Sequence, residues 1–360
     1  MPPKDLKEII KTQASQLGFV LTGVTTPDPP PHLPVFENWL KQGRHASMGY
    51  LADDRSRARR ADPRLILPEC KSILVLAFPY PDPKLVLSEV EGTAEAADAP
   101  SLGGRVASYA WGDDYHILIP EKLKGLAAFI EQQVGHPVKN RWYTDTGPIL
   151  ERELAQRAGL GWIGKNSMLI NPKLGSYFLL AELFLDLDLE PDPTFETDHC
   201  GTCTRCIEAC PTQCILPDRT LDARSCISFL TIELKDGIPS ELRPMIGSWV
   251  FGCDICQMVC PWNRFAPPEN ASELKPRAGV PRPSLIRELE LLPGDFNQKF
   301  RNSPVKRAGR RGYQRNVAVA LGNSKDTKAL PALKRALDDP EPMVREHAAW
   351  AIQKIEEKTK

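Results

Sequence analysis

Four cysteines stand within eleven residues of the chain, at Cys200, Cys203, Cys206 and Cys210, and Pro211 follows the last directly. Nine of the ten cysteines lie between residues 200 and 260, and Cys70 stands apart. A second run, Cys253, Cys256 and Cys260, also ends on a proline, Pro261. Clustered thiolates serve two kinds of centre. A pair of Cys-x2-Cys units can hold one zinc ion tetrahedrally. Zinc sites present two thiolates per knuckle, whereas Cys-x2-Cys-x2-Cys-x3-Cys-Pro is the spacing of two-cluster ferredoxins, whose fourth cysteine ligates the other cluster. Two [4Fe-4S] clusters are therefore expected. Cys200, Cys203 and Cys206 hold the first, completed by Cys260 from the distant run. Cys210, Cys253 and Cys256 hold the second, which is one ligand short. Cys226 and Cys214 can each supply it. Cys226 is preferred, because Cys214 lies four residues beyond Cys210 and would crowd the same turn. Cys70 precedes a strand-like run and reads as a buried free thiol.

Clusters move single electrons, so the rest of the chain must hold what receives them. "DLKEIIKTQASQLG" has helical apolar spacing and a glycine stop. "SILVLAFPY" and "SYFLLAELFLDLDL" are continuous apolar runs of strand length. "YHILIPEKLKGLAAFIEQQVG" is an amphipathic helix ending on glycine, and "RWYTDTG" reads as a short strand into a turn. "PILERELAQRAGLG" predicts a helix with Pro148 at its first position and a stop at Gly159. An α/β or α+β domain fits this order. Residues 81–104, rich in Ala, Pro, Gly and acids, read as a surface insertion. "GLGWIG" follows a helix and matches neither a dinucleotide fingerprint nor a phosphate loop. No Asp-x-His-x-x-Gly occurs, so a His-ligated corrinoid site of that type has no support.

Lys and Arg total 46, as do Asp and Glu, so the chain is formally neutral. That balance excludes a uniformly cationic nucleic-acid binder. Charge is nonetheless concentrated locally. The stretch 296–316 carries seven basic residues and no acidic one. Lys306, Arg307, Arg310, Arg311 and Arg315 suit phosphates there; a solvated basic loop is the plainer alternative. "RNVAVALGN" at Arg315 and "REHAAWAIQ" at Arg345 are self-similar and thirty residues apart. They suggest two HEAT-like helical repeats, too few to stand alone. No apolar run reaches the roughly 18 residues of a membrane span, and "MPPKDLKEII" lacks a signal-peptide core. A cytoplasmic protein is expected, in which clustered cysteines point to metal instead of disulfides.

Several stretches together resemble the epoxyqueuosine reductase family: "RRADPRLILPECKSILVLAFPY", "YAWGDDYH", "DTGPILERELAQRAGLGWIGKNSMLINPKLGSY", "CISFLTIE" and both cysteine runs. The resemblance is collinear over nearly the whole chain. It implies a cobalamin-dependent iron–sulfur oxidoreductase that reduces epoxyqueuosine to queuosine at the wobble position of tRNAs for Asp, Asn, His and Tyr. It also implies a cobalamin domain similar to that of reductive dehalogenases. By the same resemblance Asp145 is the proton donor and contacts the cofactor. Burial against the corrin, with Trp142 and Tyr143 nearby, would raise its pKa. The bland alternative is that Asp145 or Thr146 caps the helix after Pro148. Arg60 would contact cobalamin, Lys165, Asn166 and Leu169 would line it, and Ser228 and Asp254 would touch it where it meets a cluster. Ala107 stands where some members have cysteine, so only a backbone contact would remain.

The expected architecture is multidomain α+β. An α/β cobalamin-binding catalytic domain covers 1–195, a ferredoxin-like two-cluster domain 196–265, a linker 266–295, and a HEAT-like helical tRNA-contacting domain 296–360. The chain is expected to act as a monomer served by an external electron donor. Two rivals remain. A corrinoid reductase of a small molecule, akin to a reductive dehalogenase, would leave the basic repeat-bearing tail without purpose. A non-enzymatic electron-transfer adaptor would leave Asp145 and residues 1–190 unexplained.

Overall fold

The two continuous apolar runs become the central strands of an antiparallel sheet. In this computed structural model, which describes residues 3–83, 102–266 and 273–357, eight strands form among the described residues. They are β1 (Leu21–Thr25), β2 (Ser72–Pro79), β3 (Arg105–Val106), β4 (Asn140–Tyr143), β5 (Trp162–Ile163), β6 (Leu169–Ile170), β7 (Phe178–Leu185) and β8 (Trp249–Phe251). Most of the expected 81–104 insertion lies outside the described residues. The helices used below are α1 (Pro3–Gln16), α2 (Asp54–Ala61), α3 (Tyr115–Val134), α4 (Glu151–Arg157), α5 (Ile227–Ile232), α6 (Leu285–Leu289), α7 (Gly309–Ser324), α8 (Leu330–Arg335) and α9 (Pro342–Glu356).

The main sheet runs β1-β2-β7-β4 with every pairing antiparallel. Successive strand side chains point to opposite faces, and both faces of β2 and β7 are covered. Leu74, Leu76, Leu183 and Leu185 pack on one side with Ile10 of α1 and Leu123 and Ile130 of α3. Ile73, Val75, Phe178 and Phe184 pack on the other with Leu154 and Ala155 of α4. Burial on both faces explains why these strands read as unbroken apolar runs. Antiparallel pairing settles the two readings of this domain in favour of α+β. Helix α3 ends as expected, with Gly135 in the left-handed region at φ 76°.

Helix α4 starts later than expected. It begins at Glu151, with Leu150 at its N-cap position. Pro148 is therefore not its first residue, and neither Asp145 nor Thr146 caps it. Cys70 is buried, donates to the Ser72 carbonyl at 3.3 Å, and burial pushes its thiol up to about 11.

The C-terminal helices α7 and α9 lie against each other with α8 between them in sequence. A Cβ on Gly322 of α7 would come within 2.8 Å of Ala351 Cα on α9; only glycine lets the two backbones approach so closely. The core beneath them is shared. Val317, Leu321, Val344 and Ala348 join Val106 and Trp111 from near β3, Val250 and Phe251 of β8, and Val280, Leu285 and Leu289. The last three belong to the stretch 266–295. From residue 273 onward that stretch departs from the expected linker: it carries α6 and packs into the core. Strand β3 pairs in parallel with β8, which ties the N-terminal and cysteine-rich parts together.

Candidate functional site

The cysteine runs fold into short helices and turns, which bring their thiols into two neighbouring groups. Around Cys260, burial raises the thiol and the nearby Cys200 and Cys203 sulfurs add to it. Cys206 is likewise raised, by burial first and then by Cys200 and Cys260. Trp162 Nε1 lies 3.5 Å from Cys200 Sγ, and Trp262 packs beside the same group. The second group holds Cys210, Cys226, Cys253 and Cys256, which line a cleft. Cys256 lies close enough to Cys206 for their charges to interact, so the two groups are adjacent. All ten cysteines are free thiols. No three or more His, Cys, Asp or Glu among the described residues converge on one point as around a single ion.

Cys214 belongs to the second group too. Its Sγ lies 3.5 Å from Cys210 Sγ and also contacts Cys226. Hydrogen bonding from Cys214 holds the Cys210 thiol down at about 5 and lowers Cys226 as well. Cys226 stands at the N-cap of α5, where backbone N–H groups favour a thiolate. The residues thus fit both expected clusters, with five thiols around the second.

Asp145 lines the same cleft. It follows β4 on a turn with φ 58°, a left-handed conformation in which a non-glycine residue stores about 1–3 kcal/mol. Its N–H donates to Glu151 Oε1 at 2.6 Å. Tyr115 Oη donates to its Oδ2 at 2.7 Å, and His116 Nε2 lies 3.6 Å from the same oxygen. His116 Nδ1 in turn meets Asp114 Oδ1 at 2.8 Å. Tyr115 and His116 open helix α3, so the helix N-terminus presents both to the turn.

These contacts reverse the expected titration. Burial pushes Asp145 up, but the hydrogen bonds from His116 and Tyr115 outweigh it and hold the carboxyl below its ordinary value. The side chain is 62 % exposed, because it faces the open cleft although protein surrounds it at longer range. Trp142 and Tyr143, expected to surround it, pack into the two faces of the sheet instead. Burial opposes charge on His116 too, yet its bonds to Asp114 and Asp145 push it up to about 9. The displaced proton affinity appears next door. Glu151, raised by burial and then by the Asp145 charge, reaches about 8. Deeper still, Glu182 on β7 is fully buried, and neither carboxyl oxygen has a hydrogen-bond partner among the described residues. An unmet buried polar group costs roughly 1–3 kcal/mol.

Asn166, Leu169, Ser228 and Asp254 all line the cleft. Asp254 is buried, accepts the Ser108 N–H at 2.7 Å, and burial raises it to about 6. Arg60 of α2 is not among the residues that line the cleft; it is buried over the Phe36 ring, 5.5 Å from its centroid, near enough to Glu151 for their charges to interact, and its Nη1 has no partner among the described residues. Such an orphaned donor suits an acceptor on a bound cofactor. The cleft has a volume of about 360 Å³ and opens to solvent. Its lining chemistry, apolar side chains and tyrosines with Ser228 and Asp254 beside the thiols, fits the face of a corrin.

Other expected positions are not brought to the cleft. Lys165 Nζ donates to the Gly201 and Cys203 carbonyls at 2.8 and 3.0 Å; it ties down the first cysteine run. Ala107 is buried at the β3–β8 junction, where its N–H is spent on Phe251 O and its carbonyl accepts from Ala110. Two of the five expected phosphate contacts are corrected. Arg315 is fully buried and donates to the Leu230, Leu234 and Asp236 carbonyls. Arg310 bonds to Leu291 O and forms a half-buried pair with Asp339 at 2.7 Å. Lys306, Arg307 and Arg311 remain exposed, and Arg307 pairs with Glu233 at 2.9 Å. Arg307 sits close enough to sense Asp145, so the surviving basic surface adjoins the cleft. Tyr115, His116, Glu151 and Tyr50 were not identified from sequence as site residues. The adjacent Tyr-His at a helix start, with Asp114 as its cap, was the available signal.

Three family models match the chain. The 4Fe-4S double cluster binding domain matches residues 199–263, "Epoxyqueuosine reductase QueG, DUF1730" residues 60–146, and HEAT repeats residues 307–360. The epoxyqueuosine reductase of Pseudomonas aeruginosa is 40% identical over 353 residues, covering 98% of this chain and 95% of that one. A crystal structure of epoxyqueuosine reductase with a tRNA-Tyr epoxyqueuosine-modified stem loop aligns with a TM-score of 0.86 at 34% identity, covering 98% of this chain and 91% of that one. The Bacillus subtilis epoxyqueuosine reductase, solved with its catalytic aspartate loop swung out of the active site, aligns with a TM-score of 0.84 at 34% identity and the same coverage. The chain belongs to the epoxyqueuosine reductase family.

Proposed function

We propose that this protein reduces epoxyqueuosine to queuosine at the wobble position of tRNA, with cobalamin in the cleft and two [4Fe-4S] clusters in the thiol groups. One observation carries the reading: the second thiol group and Asp145 line a single cleft. When bound, cobalt and clusters would supply low-valent, electron-donating chemistry that the side chains cannot. Cys200, Cys203, Cys206 and Cys260 would hold one cluster, and Cys210, Cys226, Cys253 and Cys256 the other. Asp145 delivers a proton to the oxygen leaving the epoxide. Tyr115 and His116 hold its carboxyl in place and Glu151 anchors its backbone. A substrate entering the cleft removes water from Asp145, which favours its neutral form. The swung-out aspartate loop of the Bacillus subtilis relative supports a turn that moves between substrate entry and reaction.

Arg60, Asn166, Leu169, Ser228 and Asp254 surround the cofactor in this reading. Arg60→Met keeps the stem and removes the charged donor. Hydrogen bonds to charged groups contribute about 1.5–3 kcal/mol, so cobalamin affinity should fall roughly 10–100-fold in an absorbance titration. An unchanged affinity removes Arg60 from the cofactor site and counts against a corrin in this cleft.

The stem-loop complex of a relative supports tRNA as substrate. Lys306, Arg307 and Arg311 would hold phosphates, and exposed Tyr50, near Arg307 and Asp145, offers a ring on which an unstacked base can lie. Changing the three basic residues to Ala should weaken tRNA binding and flatten its salt dependence. Each lost contact lowers the slope by roughly 0.7 on single strands or 0.9 on duplex. Dissociation constants across a salt series check this; superimposed lines would make the patch an ordinary solvated loop. Electrons come from an external donor. Cys260 borders a surface hollow with Arg205 and Arg264, where an acidic carrier can approach. No helix among the described residues is long and apolar enough to cross a membrane, and a cytoplasmic site of action fits a tRNA substrate.

A further inference from the structure

Turning an epoxide into an alkene and water consumes two electrons and two protons. Both carbon–oxygen bonds break, one proton meets the oxygen when the ring opens, and a second meets it when hydroxyl departs as water. Asp145, once an entering substrate has removed water from it, carries one acidic proton. Two further carboxyl groups lie close by without a chemical role: Glu151 in the cleft lining and Glu182 buried in the sheet behind it.

Glu151 lines the same cleft as Asp145. It is the first residue of α4 and holds the Asp145 turn through a 2.6 Å bond from the Asp145 N–H. Glu182 shares a strand face with Phe178 and Phe184, by the alternation of β7, and so points into the layer beneath α4. It stands opposite Tyr143 in the β4–β7 register, two residues before Asp145. Its carboxyl oxygens meet no donor among the described residues. A charged carboxylate without a partner is not tolerated in such a place, whereas a neutral acid is.

We propose that Glu151 is the second acid of the reaction: it stores a proton in the cleft wall, with Glu182 as a neutral acid behind it, and recharges Asp145 within one turnover. The proposal rests on the reduction set out above. Asp145 gives its proton to the opening ring, takes the proton of neighbouring Glu151, and delivers it to the departing hydroxyl. Glu151 then takes a proton from solvent, and the external donor makes good the two electrons. The groups that act on Glu151 are the Asp145 charge, which favours its neutral form, and the Arg152 and Arg60 cations, which oppose it. Glu182, Tyr115 and His116 complete the surroundings of the pair. Burial outweighs the cations, so the acid form is present below about pH 8 and is lost above it.

The test uses full-length protein loaded with clusters and cobalamin, as wild type, Glu151→Gln and Glu182→Gln. Ordinary carboxyls are ionised at neutral pH, so infrared absorption of neutral carboxylic acid there reports only displaced ones. Wild type should show this absorption in two parts. One titrates near pH 8 and is missing from Glu151→Gln; the other persists and is missing from Glu182→Gln. In turnover, Glu151→Gln should keep its iron, its cobalamin and its KM for tRNA. Its kcat should fall roughly 10²-fold or more, and the alkaline limb near pH 8 should vanish from its profile. Absence of neutral-acid absorption from wild type overturns the proposal, as does a Glu151→Gln enzyme with normal kcat and an intact alkaline limb. If Glu151→Gln fails to fold, the wild-type and Glu182→Gln spectra still decide the proton store. A wild-type protein that shows both absorptions yet leaves epoxyqueuosine unreduced overturns the proposed reduction and not the proton store.

Discussion

Cys226→Ala should lose about half of the iron from anaerobically reconstituted protein, and Cys214→Ala almost none. Two complete [4Fe-4S] clusters carry about eight iron and eight sulfide per chain. Both cysteines touch the second group, so position alone does not separate them. Their surroundings do. Cys226 sits at a helix N-terminus, where backbone N–H groups from Ser228 and Phe229 favour its thiolate. Cys214 lies 3.5 Å from Cys210 Sγ, a contact that two thiolates would resist. One of that pair must keep its proton, and Cys210 belongs to the ferredoxin spacing. Cys214 is then a neutral thiol that donates toward the ligands. Iron and sulfide analysis of the two variants decides the matter. Loss of half the iron from Cys214→Ala, with none lost from Cys226→Ala, would reverse the ligand assignment.

Asp145→Asn should slow turnover by roughly 10²–10⁴-fold, the range general acid catalysis supplies. Iron, cobalamin and tRNA binding should stay intact. The amide keeps the shape of the side chain, and its oxygen still accepts from Tyr115. Its backbone N–H still reaches Glu151, and Asn tolerates the left-handed conformation as Asp does. What disappears is the transferable proton. His116 should respond as well: with one of its two carboxylate partners gone, its pKa should fall from about 9, which NMR titration of the ring can follow. Near-normal turnover would leave Asp145 a purely structural turn residue.

The parts of this fold that sequence made legible are those set by local periodicity. β2 and β7 were visible because a strand buried on both faces must be apolar at every position. α1 and α3 were visible because each buries one stripe and ends at a glycine. The thiol groups were visible because cluster ligation imposes spacing on the chain itself. The surroundings of Asp145 were not, since Tyr115 and His116 come from thirty residues earlier and meet it only after α3 packs on the sheet. Its titration therefore ran opposite to a forecast built on its sequence neighbours. Arg315 failed for a related reason. A basic residue beside exposed basic residues looks exposed, but helical rotation turns Arg315 inward, where unpaired carbonyls of residues 230–236 receive it. The start of α4 was misplaced because Pro148 suits a turn as well as a first helical position.

Nucleoside analysis of substrate tRNA tests the central claim most directly. Protein loaded with iron, sulfide and cobalamin is given a low-potential reductant and tRNA carrying epoxyqueuosine. The tRNA is then digested and its nucleosides weighed by mass spectrometry. The account predicts that epoxyqueuosine is replaced by a species lighter by one oxygen atom, that replacement requires both cobalamin and reductant, and that it outpaces the Asp145→Asn protein by at least about 10²-fold. Epoxyqueuosine that persists unchanged in fully loaded wild-type protein, or that is reduced equally well without cobalamin, would contradict it.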